Sequence, residues 1–456
     1  MMNLKLLSLG CLMAFSLGQV SAERTYKYRV TLKDKEGTAF TVDKPQEFLS
    51  KRALERRNRQ NLSIDETDLP VSQAYVKELL GTGARLVTTS KWNNTVVLEV
   101  NDMAVMDKVA EKPFVLKVKK VWVSPDSVPA RNKDRKKGVT NKIEKTGNYY
   151  GNALRQIAIH GGDSLHQAGF TGKGMHVAVI DAGFYNVDAI KLFNKMNLLG
   201  TRDFVNPNSD IYAENGHGMM VLSCMAANAK DAFVGTAPEA SYWLLRSEDA
   251  DTEQPVEEDY WAAAIEFADS VGVDVVNTSL GYYEFDEGFE PYRYRDLDGH
   301  ASLMSHSASM AADKGVLVVC SAGNSGRGAW KKMTPPGDSE NVITVGAITT
   351  DLVNADFSSI GNTSDNRIKP DVMAVGVKSV VSGRDGSVSK GNGTSFASPI
   401  MCGLVACFWQ SCPWLTAKEV VKAVQQAGDR AAYPDNIFGY GIPNLWQAYK
   451  ELTHHR

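Results

Sequence analysis

Ser395 stands where a hydroxyl can become reactive. Gly393-Thr394-Ser395-Phe396-Ala397-Ser398-Pro399 runs straight into the apolar stretch Ile400 to Trp409, which places a serine at the mouth of a buried helix. Unpaired backbone N–H groups and the positive end of the helix dipole gather there, so a negative oxygen developing beside Ser395 would be stabilised. The bland alternative is that Thr394 or Ser395 merely caps the helix. A cap leaves Gly391, Gly393 and Pro399 unexplained: small residues admit another chain close to the backbone, and a proline in the first turn gives up only a spare donor. The segment reads as a nucleophile.

A serine hydroxyl is weak until a base takes its proton. Met175-His176-Val177-Ala178-Val179-Ile180 is a short apolar run that ends in Asp181-Ala182-Gly183, a buried strand delivering an acid at its carboxyl end. Catalytic groups gather at that edge of parallel sheets. Asn215-Gly216-His217-Gly218 precedes a helical run over Met219 to Asn228, so His217 lies at an element boundary with glycine on both sides. Alone, Asp181 reads equally as a turn former before glycine and His217 as a loop histidine bonded to backbone. None of the other seven histidines shares the glycine-flanked setting.

Together these segments resemble the three active-site motifs of the subtilisin-like serine peptidases, in the order Asp, His, Ser. Val316-Leu317-Val318-Val319-Cys320-Ser321-Ala322-Gly323-Asn324 is similar to the family's oxyanion-hole segment, and Val275-Val276-Asn277-Thr278-Ser279-Leu280-Gly281 to its substrate-aligning strand. The resemblance extends over about Tyr149 to Leu452. It implies Asp181, His217 and Ser395 as catalytic residues, and an oxyanion hole from the Asn324 amide and the Ser395 N–H. It also implies substrate binding by Ser279, Leu280, Gly281, Ala322 and Gly323. Two departures stand out. Met219 and Met220 follow His217-Gly218 where the family usually has Thr and a second His, and Ala182 replaces a common Thr or Ser, which removes one hydrogen bond around the carboxylate.

The implied reaction is endopeptidase hydrolysis through an acyl-enzyme, with His217 as general base and Asp181 fixing its tautomer. An unperturbed imidazole places the loss of activity on acidification at roughly pH 6 to 7. The chemistry needs no cofactor. Relatives often bind calcium, but no spacing here names its ligands, and no metal ligand is assigned.

The elements that must position these groups follow from the rest of the chain. At 456 residues, 43% hydrophobic and 23% charged, it exceeds one typical domain and can bury sizeable cores. A net charge of -3 gives no reason to expect nucleic acid. Lys5, the apolar run Leu6 to Leu17 and Val20-Ser21-Ala22 read as a signal peptide over residues 1–22, so export to the periplasm, outer surface or medium is expected, with no transmembrane segment in the mature chain. The five remaining cysteines, an odd number, lie mostly in apolar patterns and read as free thiols.

Residues 23–124 alternate short strands and helices: Tyr26 to Leu32, Ala84 to Thr89, Thr95 to Val100 and Val115 to Val123 extended, Val71 to Leu80 and Met103 to Glu111 helical. They form a small α+β unit, and the resemblance gives it the role of a propeptide that inhibits its own enzyme. Residues 125–148, with the basic cluster Arg131 to Lys145, read as an exposed linker and processing site. The catalytic domain is placed at 149–452, with a tail at 453–456. The acidic run Ser247 to Asp259 reads as a solvated loop leading into a helix over Tyr260 to Ala268.

The fold expected is α/β, a mainly parallel sheet with helices on both faces, behind a small α+β pro-region. The partners expected are a protein or peptide substrate and the chain's own pro-region. Two rivals follow from the same residues. A catalytically silent scaffold of the same fold is permitted by Met219-Met220, whereas a serine esterase of the α/β-hydrolase type requires the order Ser, Asp, His, which this chain lacks.

Overall fold

A computed structural model describes residues 24–126 and 138–454. The signal-peptide reading and residues 127–137 of the basic linker fall outside them. The first unit runs β1 (Tyr26–Leu32), α1 (Lys51–Arg59), α2 (Gln73–Leu80), β2 (Arg85–Ser90), β3 (Thr95–Val100), α3 (Val105–Ala110) and β4 (Val115–Val123). Its four strands pair antiparallel in the order β2-β3-β1-β4. The expected strands and two helices are present. Helix α1, rich in Arg and Lys with no apolar stripe, is an addition.

The larger unit begins with two short helices, α4 (Leu154–Ala158) and α5 (Gly162–Gln167). It continues through β5 (His176–Asp181), β6 (Asn197–Asp203), α6 (His217–Ala226), a two-residue pair β7 (Asn228–Ala229) and β8 (Phe233–Val234), β9 (Ser241–Arg246), α7 (Val256–Ser270) and β10 (Val275–Thr278). Then come α8 (Leu303–Asp313), β11 (Leu317–Ser321), β12 (Ile343–Ile348), β13 (Val372–Val375), the hairpin β14 (Ser379–Ser382) with β15 (Val388–Gly391), α9 (Thr394–Ser411), α10 (Ala417–Gln426) and α11 (Leu445–His454). Seven strands form one sheet in the order β13-β12-β11-β10-β5-β9-β6, every pair parallel.

Continuous apolar strands are what a sheet covered on both faces requires. Val177 and Val179 of β5 enter one core with α6 and α9, while Ala178 and Ile180 enter another with α7 and α8. The same alternation splits Leu317 and Val319 from Val318 and Cys320 on β11. Each fully buried aliphatic side chain contributes roughly 1.5–3 kcal/mol. All five described cysteines are buried free thiols. No helix among the described residues is long and apolar enough to cross a membrane.

The small unit packs its sheet on the α7 and α8 face, adding Trp92, Val97 and Val121 to the core around Tyr260 and Trp261. Charge orders the rest of that contact. Arg56, Arg57 and Lys91 converge on Asp269, which is 0% exposed, and the Arg29 guanidinium is 2.6 Å from Asp259. Glu266 accepts from the Ser90 hydroxyl and the N–H groups of Lys91 and Trp92. The solvated-loop reading of the acidic run therefore fails for Glu257, Glu258 and Asp259. Helix α7 starts earlier than expected, and all three carboxylates are buried in its first turn, taken up by backbone N–H groups, Tyr292, Ser302 and Arg29.

Candidate active site

Asp181, Ser279 and Asn324 all sit at or just beyond the carboxyl ends of adjacent strands: β5, β10 and β11. That is the edge where open parallel sheets place their ligands. Helices α6 and α9 then bring His217 and Ser395 to the same edge by their first turns.

The Asp181 carboxylate is fully buried and accepts two hydrogen bonds on one oxygen. His217 Nδ1 lies 2.8 Å from Oδ1, and the Ala182 N–H donates to the same oxygen at 2.8 Å. Oδ2 has no hydrogen-bond partner among the described residues, in keeping with alanine at 182. Arg246 braces this turn from behind, donating from Nε to the Ala182 carbonyl at 3.0 Å while its other nitrogens face Asp203, Glu214 and Asp249. His217 is fixed at the backbone too, its N–H donating to Asn215 Oδ1 at 2.8 Å. Gly218 is what lets α6 approach: a Cβ there would lie 2.8 Å from Asp181 Cβ, inside contact distance.

Burial lowers the pKa of the His217 ring, but the Asp181 charge, its hydrogen bond and the Glu248 charge outweigh that and raise it to about 9. The inflection expected from an ordinary imidazole, roughly pH 6 to 7, is displaced upward. Glu248 is itself pushed up to about 7 by burial and by the Asp181 charge, partly offset by His217 and by the Tyr282 hydroxyl 3.2 Å away. The sequence reading left Glu248 in a solvated loop. Only the fold reveals that this loop folds back beside β5.

Ser395 is the second residue of α9, not its cap. The N-cap is Gly393, and no side chain caps the helix. Ser395 Oγ is 3.5 Å from the Ser279 carbonyl oxygen, and no hydrogen bond joins it to His217 among the described residues. The two segments nonetheless meet, the His217 ring lying 6.2 Å, centroid to centroid, from the ring of Phe396. Apo sites often hold such pairs apart until substrate arrives.

Pro399 falls in the second turn of α9, deeper than expected, and its position explains a contact. A residue there would donate its N–H to the Ser395 carbonyl four residues back, and proline has none to give. The Ser279 hydroxyl takes the place, donating to Ser395 O at 2.9 Å and tying the β10 extension to the first turn of α9. Ser398 Oγ adds a second tie, to Asn277 Oδ1 at 2.8 Å.

Asn324 is oriented by Thr394. Its Oδ1 accepts from the Thr394 N–H at 2.9 Å and the Thr394 hydroxyl at 3.0 Å, which turns Nδ2 the other way. The Thr394 hydroxyl also accepts from the Gly323 N–H at 3.2 Å. Gly393 has φ +150°, and a Cβ there would stand 3.6 Å from Ser395 N and 3.8 Å from the Asn324 amide, in the space between two donors. The sequence reading missed Thr394 in this role, having weighed it only as a cap.

Ser279 and Leu280 are nearly buried, and Gly281 leads to Tyr282, whose N–H donates to Pro335 O at 3.2 Å. Ala322 is buried, and its carbonyl accepts from Thr334 N at 3.3 Å. Two extended segments thus flank the Ser395 end of α9. Met219 is wholly buried in the core behind the site. Among the described residues no three carboxylate, Cys or His side chains converge as a metal site requires.

A family model described as the Subtilase family matches residues 172–441, and one described as the Peptidase S8 propeptide domain, Bacteroidota, matches residues 27–138. Among curated proteins the chain is similar to serine protease AprX of Bacillus subtilis (strain 168), 30% identical over 60% of this chain and 66% of the relative. It is 29% identical to subtilisin NAT of Bacillus subtilis subsp. natto over 61% of this chain and 66% of the relative. Against subtilisin DY of Bacillus licheniformis it is 28% identical over 57% of this chain and 85% of the relative. The alignments thus span just under two thirds of AprX and of subtilisin NAT.

Proposed function

Because the chain belongs to the subtilase family, we propose that it is an exported serine endopeptidase in which Asp181, His217 and Ser395 carry the reaction. The observation that bears most weight is the 2.8 Å hydrogen bond from His217 Nδ1 to a carboxylate that has no other side-chain partner among the described residues, with Ser395 in the first turn of a buried helix. With Nδ1–H held by Asp181, the other ring nitrogen is the one left to act as base.

Substrate enters as an added strand along Ser279 to Gly281. The Ser395 hydroxyl turns from the Ser279 carbonyl toward His217, gives up its proton to Nε2 and bonds to the scissile carbonyl carbon. The carbonyl π electrons move to oxygen, and that oxyanion is met by the Ser395 N–H and Asn324 Nδ2. Collapse expels the amine, which takes the proton back from His217 and leaves an acyl-enzyme. Water, deprotonated by the same ring, then releases the acid and restores Ser395.

The N-terminal unit acts as a propeptide in this reading. Its last strand ends at Val123, whose N–H and C=O are both held by the Gln254 side-chain amide at 2.8 and 3.1 Å. Gln254 lies on the loop that also carries Glu248, so the chain leaves the small unit close to the candidate cleft. Export through the signal peptide completes the picture.

Intact mass and N-terminal sequence of the exported protein, wild type against Ser395→Ala, test the proposal. Loss of the 23–124 region in wild type and its retention in Ser395→Ala supports self-processing by Ser395. Identical uncut chains that also leave peptide substrates intact would contradict it and favour the silent scaffold.

A further inference from the structure

Thr334 lies within reach of a Cβ built on Gly281 and of one built on Gly323, between the two extended segments. Resting on the reading that Ser279 to Gly281 aligns the substrate and Asn324 receives the oxyanion, we infer that Thr334 restricts the residue on the acyl side of the scissile bond to a small side chain.

Ser395 fixes where that residue must lie. Ser279 is tied to the Ser395 carbonyl, and Gly323 and Asn324 are tied to Thr394, so both segments flank the nucleophile. A carbonyl attacked by Ser395, with its oxygen toward Asn324, projects its own side chain between them. Gly281 and Gly323 gauge the width, because a Cβ built on each reports what lies in the gap. From Gly281 the Cβ overlaps the Thr334 hydroxyl and comes 3.1 Å from Thr334 Cβ. From Gly323 it comes 3.2 Å from the same hydroxyl and 3.5 Å from Thr334 Cγ2. One side chain therefore touches both walls.

Thr334 cannot simply swing aside. Its N–H donates to the Ala322 carbonyl at 3.3 Å on one wall, and the neighbouring Pro335 carbonyl accepts from Tyr282 N at 3.2 Å on the other. It is only 6% exposed. The Ser359 hydroxyl, 2.9 Å from the Gly323 Cβ position, narrows the same gap. Alanine or serine fits such a slot, whereas phenylalanine or leucine must displace Thr334 or leave its own ring or branch in water. One misplaced methylene in a hydrophobic pocket shifts discrimination about 10- to 200-fold.

The test uses exported, processed protein and peptidyl p-nitroanilides that differ only in that residue: Ala, Leu or Phe. Wild type is expected to show kcat/KM for Ala at least about tenfold above Phe. Thr334→Gly should raise the Phe-to-Ala ratio of kcat/KM at least about tenfold. Thr334→Ser, which keeps the hydroxyl, should keep the Ala preference, and Thr334→Ala serves if the glycine variant does not fold. A wild type that cleaves Phe as well as Ala, or folded variants with unchanged ratios, overturns the inference and leaves the peptidase reading intact. No Ser395-dependent cleavage of any of the three overturns both.

Discussion

In the proposed reaction the His217 ring must be neutral to accept the Ser395 proton, and with a pKa of about 9 it is protonated through most of the physiological range. The sign is unambiguous: raising pH removes the blocking proton, so activity climbs with alkalinity. At pH 7 about one ring in a hundred is neutral, at pH 8 about one in ten, at pH 9 about half. An ordinary imidazole would be mostly neutral already at pH 7. The assay is kcat/KM on a peptide anilide from about pH 6 to 10.5 at constant ionic strength, since kcat/KM reports the free enzyme. A rise of about tenfold per unit up to pH 8 is expected, reaching half its plateau near pH 9. Glu248→Gln adds a second arm. Glu248 titrates at about 7, so it is ionised where His217 titrates, and removing its charge should move the midpoint down while the plateau stays. A midpoint at or below pH 7, or one indifferent to Glu248→Gln, would refute this electrostatic account.

Asn324→Ala should lower kcat about a hundred- to a thousand-fold with little change in KM, the magnitude known for this kind of donor in subtilisin. Gly393→Ala places a methyl between Ser395 N and Asn324 and forces φ +150° on a side-chain-bearing residue, so turnover should fall at least about a hundredfold in protein with a native circular dichroism spectrum. Asp269→Ala takes from Arg56 and Lys91 the buried carboxylate they share and leaves Arg57 with Asp68 alone. In uncut Ser395→Ala protein it should cost about 3–5 kcal/mol, read as a lower denaturant midpoint for release of the small unit.

The elements legible in the sequence were those whose pattern is local. Parallel strands such as β5 and β11 are unbroken β-branched runs because helices cover both their faces, and each ends in the small residues that turn the chain into the site. The helix that carries Ser395 was equally plain, since α9 is apolar around nearly its whole circumference. Helix α1 was not, because nothing in Lys51–Arg59 faces a core of its own unit. Its arginines answer Asp269 and Asp274, more than 200 residues away. The acidic run misled for the same reason: whether Asp259 is solvated depends on Arg29, 230 positions earlier. The titration of His217 was likewise out of reach, because Glu248 becomes its neighbour only through the fold.

Labelling with a fluorophosphonate tests the central claim most directly, because such a probe bonds only to a serine that a base has activated. The processed protein should be labelled once, on the peptide carrying Ser395, faster at pH 9 than at pH 7, with labelling abolished in His217→Ala and Ser395→Ala. Folded, processed protein that takes up no label at either pH, or takes it on another serine, would contradict the assignment of Asp181, His217 and Ser395.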